Sequence, residues 1–402
     1  MTATRQIGGL DPAAARAALA PWPVRAAPIR TDEYQARLDH ARALMRAAGA
    51  DALLVTAGAS LRYFAGIPWG ASERLVALLL TAAGKPVVVC PAFETGSLAA
   101  VLRIDADVRT WEEHESPYAL VATTLREHHA HGLALDPAAP SLAATKLRAA
   151  LDGQATADAG AIIDGCRMRK SPAELALMQQ ATAMTLAVHR LAARVLHAGL
   201  GNRELVRFID EAHRALGADD GSSFCIVQFG QATAYPHGLP GEQRLEENQL
   251  VLIDTGCTVE GYHSDITRCY AFGRVDGEVE RIWMLEQAAQ RAAFEAVRPG
   301  VPCEAIDAAA RAVVERAGLG PGYRLPGIPH RTGHGCGMAI HEAPYLVRGD
   351  ATPLAPGMCA SDEPMIVVPG RFGVRLEDHF FVTADGAAWF TEPSPAIDQP
   401  FA

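Results

Sequence analysis

The sequence lacks the features that would place this chain outside the cell or in a membrane. Its eight cysteines are spread over 402 residues without a C-x-x-C pair, so neither a disulfide framework nor a cysteine-based zinc site is indicated. The N-terminus has no basic start followed by an apolar stretch, and no apolar run approaches the ~20 residues that span a bilayer. We therefore expect reduced thiols, a cytoplasmic location and no membrane partner.

A block of basic residues is also missing. The chain carries 36 Lys and Arg against 46 Asp and Glu, which gives a formal net charge of -10. Nucleic acids and anionic membrane surfaces attract proteins through basic patches, so nucleic acid is not expected as a partner. With 49% hydrophobic and 20% charged residues, the composition is that of an ordinary globular protein. A small molecule or a peptide is the expected substrate.

The length of 402 residues predicts two domains, because a domain usually has ~100–200 residues. Near the N-terminus, Thr31-Asp32-Glu33 offers an N-cap and an acidic first turn for a helix that ends near Gly49. Short apolar runs separated by Gly and Pro predict buried strands at 52–55, 75–80, 87–89 and 108–111. Strands that alternate with helices indicate an α/β domain, which we assign to residues 1–165.

The second domain, assigned to residues 166–402, begins with a helix start. Ser171-Pro172-Ala173-Glu174 matches a capping box with proline at the first helical position. Ala/Leu-rich patterns predict helices at 172–197, 202–216, 278–297 and 303–317. Alternating patterns predict strands at 249–255, 265–272, 357–368 and 373–383. Helices segregated from antiparallel strands indicate an α+β fold.

Two aspartates stand in segments that otherwise read as apolar strands. Asp254 lies in Leu252-Ile253-Asp254-Thr255-Gly256, and Asp265 follows eleven residues later. A turn around Glu260-Gly261 would place both carboxylates on one face of a strand pair, where like charges require a cation or a shared proton. A divalent metal is the simplest explanation. The alternative is that Asp254 makes a turn and that Asp265 pairs with Arg268.

The segment from Pro329 to Glu342 contains His330, His334 and His341 at spacings of four and seven. Three glycines around His334 allow a close approach of backbone and suit a loop or bulge at a site. A lone histidine would be expected in the core, but three within twelve residues on a glycine-rich segment indicate a functional site.

Glu363-Pro364 and Glu377 supply two further acids on strands that otherwise read as buried. Proline after Glu363 marks a strand edge or a bulge. Asp362 and Asp378 should point to the opposite faces, and we expect them to be solvated. Four carboxylates and one imidazole form an oxygen-rich ligand set that suits Mn(II) and could also hold Zn(II) or Co(II).

Together these motifs resemble the pita-bread metallopeptidases, a family that includes methionine aminopeptidase, aminopeptidase P, prolidase and the non-peptidase creatinase. The motifs are D-x-G, S-D-I-T-R, G-H-G-x-G, E-P and G-V-R-L-E-D, and they cover about residues 165 to 390. The resemblance implies a creatinase-like N-terminal α/β domain followed by a pita-bread catalytic domain. It also implies a pair of divalent metal ions held by Asp254, Asp265, His334, Glu363 and Glu377.

Other residues favour the proline-specific branch of this family. Leu61-Arg62-Tyr63-Phe64-Ala65-Gly66 is similar to a signature of the N-terminal domain that methionine aminopeptidases generally lack. His237 matches a substrate-side histidine of proline-specific members, and His330 and His341 match two further active-site histidines. Creatinase typically replaces the metal ligands. Phe224 stands where prolidases often have a tyrosine, so a hydroxyl that could bond a metal-bound aspartate is missing.

The resemblance implies metal-dependent hydrolysis of Xaa-Pro dipeptides by a hydroxide that bridges two metals. Glu363 would accept and donate the proton, and His341 or His237 would hydrogen-bond the oxyanion. His330 would hold the substrate or its leaving group. Arg371 is the candidate that binds the substrate carboxylate, with a solvated loop arginine as the alternative.

Arg375 is expected to pair with acids near the metals. A homodimer acting on short proline-containing peptides is the implied assembly. Aminopeptidase P activity on longer peptides, a hydrolase or lyase that reuses the fold, and an inactive binding module are the alternatives.

Overall fold

The structure, a computed structural model, describes residues 6–401. Residues 28–167 form one compact unit, and the segments 6–27 and 168–401 form the other. The N-terminal segment joins the larger unit through backbone hydrogen bonds from Gly8 N to Ala193 O and from Trp22 N to Leu216 O. The domain boundary predicted at residue 165 stays a prediction.

Helices and strands alternate through the smaller unit and are segregated in the larger one. The helices of the described chain are α1 (Pro12–Ala17), α2 (Thr31–Ala48), α3 (Ala59–Ala65), α4 (Thr95–Val101), α5 (Pro117–Glu127), α6 (Ser141–Ala150), α7 (Gly160–Arg167), α8 (Pro172–Arg194), α9 (Asn202–Leu216), α10 (Gly277–Ala296) and α11 (Cys303–Arg316). The strands are β1 (Ala52–Thr56), β2 (Ala77–Thr81), β3 (Val87–Pro91), β4 (Asp107–Trp111), β5 (Gly132–Leu135), β6 (Ala155–Asp158), β7 (Ser222–Phe229), β8 (Gln249–Val259), β9 (Tyr262–His263), β10 (Ile266–Phe272), β11 (Gly333–Gly335), β12 (Glu342–Leu346), β13 (Cys359–Asp362), β14 (Met365–Val368), β15 (Phe372–Arg375), β16 (Asp378–Val382) and β17 (Ala387–Trp389). Among the described helices, none combines the length and the apolar character needed to cross a membrane.

The smaller unit is built on a six-stranded mixed sheet with strand order β4-β3-β2-β1-β5-β6. The four apolar runs predicted as strands correspond to β1, β2, β3 and β4. Strands β5 and β6, which have four residues each, were not predicted from the sequence. β6 lies at the sheet edge and is largely exposed, so its residues carry no apolar run that would reveal a strand.

The larger unit contains the four predicted long helices, α8 to α11, beside three antiparallel sheets. One sheet has the order β10-β8-β7, a second has the order β12-β11-β13-β16-β17, and β14 pairs with β15 alone. The segregation of helices from antiparallel strands agrees with the predicted α+β class. The packing between them is tight, since Trp283 on α10 is buried and donates from Nε1 to Cys269 O of β10 at 2.7 Å.

Helix starts were predicted correctly in one case and wrongly in another. Ser171 Oγ accepts from Glu174 N, and the Glu174 carboxylate accepts from Ser171 N, so the capping box at α8 is confirmed. At α2, Thr31 is the first helical residue instead of the N-cap, which is Arg30 without a capping side-chain hydrogen bond. That helix does end at Gly49, whose φ of 68° is the left-handed conformation glycine adopts at low cost.

Candidate metal centre and active site

Asp254 and Asp265 lie on one face of the β8–β10 pair. The turn between the strands runs through Glu260 and Gly261, which have φ values of 51° and 81°. Asp254 is directly opposite Thr267 on β10, and Asp265 precedes Thr267 by two residues. Because side chains alternate along a strand, both carboxylates point to the same side of the sheet. Both are buried.

His334 occupies β11 between two glycines that the fold requires. A Cβ at Gly333 would lie 2.0 Å from Ser361 O, and one at Gly335 would lie 2.5 Å from Glu342 O. The Nδ1 atom of His334 lies 3.0 Å from Gly335 O, which favours a proton on Nδ1. A neutral ring with this proton would present an electron pair at Nε2, the arrangement in which histidine binds metals.

Glu363 and Glu377 lie where the chain crosses between two sheets. β13 and β14 belong to different sheets and are separated by Glu363-Pro364, while the return crossing from β15 to β16 contains Glu377. Since Asp362 pairs with Asp378 across β13 and β16, the two glutamates leave the strands at the same level. The predicted single strand at 357–368 is therefore two strands.

These carboxylates surround His334. Its Nε2 atom lies 3.1 Å from Glu363 Oε1 and 3.8 Å from Asp265 Oδ2. Asp265, His334 and Glu377 each offer one ligand atom, and these atoms lie within 4.8 Å of one another. Such spacing matches a cation held between them.

The hydrogen bonding of the cluster also fits a metal. Oδ1 of Asp254, Oδ1 of Asp265 and Oε1 of Glu377 are buried, and the described residues offer them no hydrogen-bond partner. Buried carboxylate oxygens without partners are rare because each loses its hydration. Hard oxygen donors together with an imidazole suit a divalent cation, so the residues present fit a metal site.

Electrostatics point the same way. Burial, followed by the charges of neighbouring carboxylates, raises the pKa of Asp265 and of Glu377 well above the ordinary value. Burial also raises the pKa of Asp254, although the Arg375 guanidinium partly opposes it. Burial would raise the pKa of Glu363 too, but the hydrogen bond and charge of His334 outweigh it and the pKa falls. Four ionised carboxylates at this separation need a cation between them.

Arg375 connects two of the candidate ligands. Its guanidinium pairs with Asp254 Oδ2, and its Nε donates to Thr267 Oγ1 at 2.9 Å. Thr267 Oγ1 in turn donates to Glu377 Oε2 at 2.6 Å. Each pairing occupies one oxygen of a carboxylate and leaves the other directed elsewhere, so Arg375 and Thr267 fix the orientation of these ligands.

Two of the predicted histidines lie beside the cluster. The rings of His341 and His334 meet edge to face, with centroids 4.2 Å apart. Desolvation, together with the positive charges of His334 and Arg331, lowers the pKa of His341 to about 4. His330 Nδ1 lies 2.7 Å from Arg331 O, while its Nε2 is buried without a hydrogen-bond partner among the described residues. Burial lowers the pKa of His330 as well.

The remaining predicted site residues occupy varied positions. His237 is exposed, and its charge is among the causes that lower the pKa of His341. Phe224 pairs with Gly256 on β8, two residues along the strand from the Ile226–Asp254 pair. Arg371 is exposed and forms an ion pair with Glu278 at 2.5 Å. Its assignment as the carboxylate receptor stays a prediction.

The expectation that Asp362 and Asp378 are solvated is wrong. Both are fully buried beneath α10. Asp378 pairs with Arg268 at 2.6 Å, and Gln290 donates to Asp362 O and to Asp378 Oδ2. Arg268 therefore serves Asp378 instead of Asp265. The sequence could not reveal this, because the pair joins residues 110 positions apart.

Sequence reasoning missed a buried pair that holds the histidine segment. Asp307 and Arg311, one turn apart on α11, form an ion pair at 2.8 Å. Asp307 Oδ1 accepts from Thr332 N and Thr332 Oγ1, while Arg311 Nη2 donates to His330 O at 2.5 Å. An acid and a base four residues apart among the apolar positions of an amphipathic helix would have been the signal.

Known proteins resemble this chain along most of its length. The family model described as "Metallopeptidase family M24" matches residues 176–384, and the one described as "Creatinase/Prolidase N-terminal domain" matches residues 37–169. A protein of Mycobacterium tuberculosis (strain ATCC 25618 / H37Rv) named "Probable dipeptidase PepE" is 39% identical over 357 residues, which is 88% of this chain and 93% of the relative.

Solved structures of a dipeptidase and a prolidase are also similar to this chain. The crystal structure of dipeptidase PepE from Mycobacterium ulcerans superposes with a TM-score of 0.82 and 38% identity, covering 91% of this chain and 97% of that one. The structure of recombinant prolidase from Thermococcus sibiricus has a TM-score of 0.82 and 30% identity, covering 89% and 97%.

Proposed function

The chain belongs to metallopeptidase family M24, and on that basis we propose that it is an Xaa-Pro dipeptidase that works with two divalent metal ions. The fold class predicted from the sequence, a creatinase-like α/β domain followed by a pita-bread catalytic domain, is confirmed by the two family matches. The family uses divalent metals, and the relatives are dipeptidase-like enzymes. The finer assignments below rest on the arrangement of side chains in this chain.

One observation carries the proposal: buried carboxylate oxygens without partners surround a histidine whose ring contacts a second histidine. The proposed metal ligands are Asp254, Asp265, His334, Glu363 and Glu377. Mn(II) is the proposed metal, with Zn(II) or Co(II) as alternatives. When bound, such ions would lower the pKa of a water molecule and polarise the scissile carbonyl.

The side chains then divide the work of proton transfer and charge stabilisation. Glu363 accepts a hydrogen bond from Ser361 Oγ and faces His334, so its carboxylate is held in place to take a proton and return it to the leaving nitrogen. His341, with a pKa near 4, is neutral at neutral pH and can donate an N–H to a developing oxyanion. His237 is proposed to share this role.

His330 is proposed to hold the substrate. With Nδ1–H donating to Arg331 O, the neutral ring presents an electron pair at the buried Nε2 atom. An acceptor at this position suits an N–H of the substrate or of the departing proline.

Proline specificity requires a shaped surface. The bond before proline has no N–H, so backbone hydrogen bonding cannot recognise the proline. A pocket shaped to fit the proline ring must recognise it instead. Tyr235 and Leu239 are exposed apolar side chains on the loop that carries His237, and they are proposed to form part of that pocket. The likeness to the prolidase of Thermococcus sibiricus supports this choice.

The test compares Ala-Pro, Ala-Leu, Ala-Pro-Ala and creatine as substrates of metal-stripped protein re-supplied with Mn(II), with an Asp265→Ala variant alongside. We expect turnover of Ala-Pro that needs both the metal and Asp265. Cleavage of Ala-Pro-Ala alone would favour an aminopeptidase P, which is the second candidate. Turnover of creatine without either peptide would point to a non-peptidase hydrolase that reuses the fold.

The homodimer, the cytoplasmic location and the division into residues 1–165 and 166–402 are further parts of the proposal. Light scattering during gel filtration tests the first, since a dimer elutes with twice the mass of the chain.

A further inference from the structure

Arg331 lies between His330 and His334, and the backbone on both sides of it is hydrogen-bonded to α11. Arg311 Nη2 donates to His330 O at 2.5 Å, and Thr332 N donates to Asp307 Oδ1 at 3.2 Å. Its neighbours in sequence are therefore anchored to α11. The Arg331 side chain starts from a fixed position beside the candidate catalytic residues.

The guanidinium group of Arg331 lies over an aromatic ring next to the metal cluster. Its central carbon is 4.7 Å from the ring centroid of Tyr345 on β12. Tyr345 is directly opposite His334 in the β11–β12 pair. Residues directly opposite on antiparallel strands share a face, with Cβ atoms about 4.5–5.5 Å apart. Arg331 and the candidate ligand His334 therefore face the same space.

Arg331 differs from the other arginines of the site in having no acidic partner. Arg375 pairs with Asp254, Arg268 with Asp378 and Arg311 with Asp307. In the part of the chain that the structure describes, the Arg331 guanidinium has no carboxylate within ion-pair distance and no hydrogen bond. The side chain is half-buried, so its donors remain reachable. A positive charge stacked on a ring beside the site is thus free to bind an anion.

We propose that Arg331 binds the C-terminal carboxylate of the substrate and thereby makes the enzyme a dipeptidase. This inference rests on the proposed peptidase function. A dipeptide ends one residue beyond the scissile bond, and one residue spans about 3.8 Å between Cα atoms. The receptor for its carboxylate must consequently lie beside the metal ligands, as Arg331 does.

The chemistry of the group suits this role. A guanidinium presents two parallel N–H donors that match a carboxylate, and the Tyr345 ring limits the orientations that it can adopt. A longer peptide has a neutral amide at this position and cannot form the ion pair. Discrimination then follows from the difference in binding between a charged terminus and an amide.

Arg371, favoured by the sequence, is the competing candidate. Its guanidinium already has a carboxylate partner in Glu278, and it is exposed. Substrate binding there would have to displace that partner, whereas Arg331 has none to lose.

The experiment compares hydrolysis of Ala-Pro with hydrolysis of its C-terminal amide by the Mn(II)-loaded enzyme. The variants are Arg331→Ala, Arg331→Lys and Arg371→Ala. The matched control is Arg348→Ala, which removes an exposed arginine. We expect Arg331→Ala to raise the KM for Ala-Pro by about 10- to 100-fold, as expected for losing charge-assisted hydrogen bonds. The KM for the amide should change by less than about threefold. The KM of Arg331→Lys for Ala-Pro should lie between those of the wild type and Arg331→Ala, because lysine keeps the positive charge but lacks the two parallel N–H donors of the guanidinium.

An equal rise in KM for both substrates would overturn the assignment, as would a selective loss in Arg371→Ala. A wild-type enzyme that uses the acid and the amide equally well would also overturn it. Thermal melting followed by circular dichroism establishes that each variant is folded before its kinetics are compared.

The proposed proline specificity and the proposed role of Arg331 can be tested separately. If Ala-Leu is cleaved and Ala-Pro is not, the comparison is made with Ala-Leu and its amide, and the expectation for Arg331 is unchanged. Calorimetric binding of L-proline and of L-prolinamide requires no turnover at all. If the wild type binds L-proline more tightly than L-prolinamide and Arg331→Ala does not, the inference is supported. If both the wild type and Arg331→Ala bind L-proline more tightly, the inference is contradicted.

Discussion

The buried pair of Lys170 and Glu342 fixes the turn that presents His341. Lys170 Nζ lies 2.5 Å from Glu342 Oε1, and both side chains are almost wholly buried. Glu342 Oε2 also accepts from Ala339 N. A Cβ at Gly337 would lie 2.6 Å from Glu342 Oε1, so the chain wraps closely around this carboxylate. The position of His341 follows from the residue after it.

Loss of the lysine should therefore destabilise the larger unit strongly. Lys170→Met leaves the Glu342 carboxylate buried without its cation, which typically costs about 3–5 kcal/mol of unfolding free energy. Urea unfolding measures the change. Arg291→Met is the control, because it breaks an exposed pair with Glu295 on α10 and should have little effect. Similar midpoints for the two variants would show that the buried pair contributes no more than a surface one.

The candidate metal ligands were largely recognisable in the sequence, but the side chains that contact the buried charged residues were not. Asp254 and Asp265 stood out because carboxylates are rare in apolar strands. The partners of the buried Asp378 are Gln290 and Arg268, which approach it only in the folded chain. Arg331 was overlooked for a related reason. Its environment is set by Tyr345, and nothing in the local sequence joins the two.

Among the elements, the β8–β10 hairpin sets the spacing of the two aspartates. Gly256 on β8 is needed for this, since a Cβ there would lie 1.9 Å from Ser264 O. Ser264 immediately precedes Asp265. Any side chain at Gly256 must push the start of β10 away and move the Asp265 carboxylate with it.

We therefore expect Gly256→Ala to lose metal affinity and about 1–3 kcal/mol of stability, the usual cost of overpacking. Calorimetric titration with Mn(II) and urea unfolding measure the two effects. Gly277→Ala, at the start of α10 with open space around the new methyl group, should bind metal like the wild type. Unchanged Mn(II) affinity in Gly256→Ala would contradict the role assigned to the hairpin.

Long elements with a clear period were predicted well, and short ones were not. The apolar periodicity of α8, α9, α10 and α11 gave their ends to within a few residues. β11 has three residues, Gly-His-Gly, and exists because it pairs with β12 and β13. The run at 357–368 was predicted as one strand because apolar residues flank the crossing at Glu363-Pro364 on both sides.

At the scale of the whole molecule, acidification acts through buried histidines. Burial, followed by the charge of Arg268, lowers the pKa of His189 to about 3, and its Nε2 lies 3.0 Å from Ile266 O. The unfolded chain takes up this proton near pH 6.5, whereas the folded chain resists it. The contribution of His189 to stability is therefore present above pH 6.5 and is lost as the pH falls.

His189→Gln isolates this contribution from the buried carboxyl groups, which titrate in the opposite sense. Relative to the wild type, the variant should gain about 2 kcal/mol between pH 7.5 and pH 5, because it has no proton to take up on unfolding. Urea midpoints at the two pH values measure it. His114→Gln, which alters an exposed histidine, should show a constant difference from the wild type.

The proposed peptidase activity depends on two metal ions bound in one buried cluster. The most direct test is to titrate metal-stripped protein with Mn(II) while following both bound metal, by mass spectrometry, and the rate of Ala-Pro hydrolysis. We expect two ions per chain, activity that rises with occupancy, and loss of both in Asp265→Ala. Hydrolysis by the metal-free protein, or full occupancy without hydrolysis of any dipeptide, would contradict it.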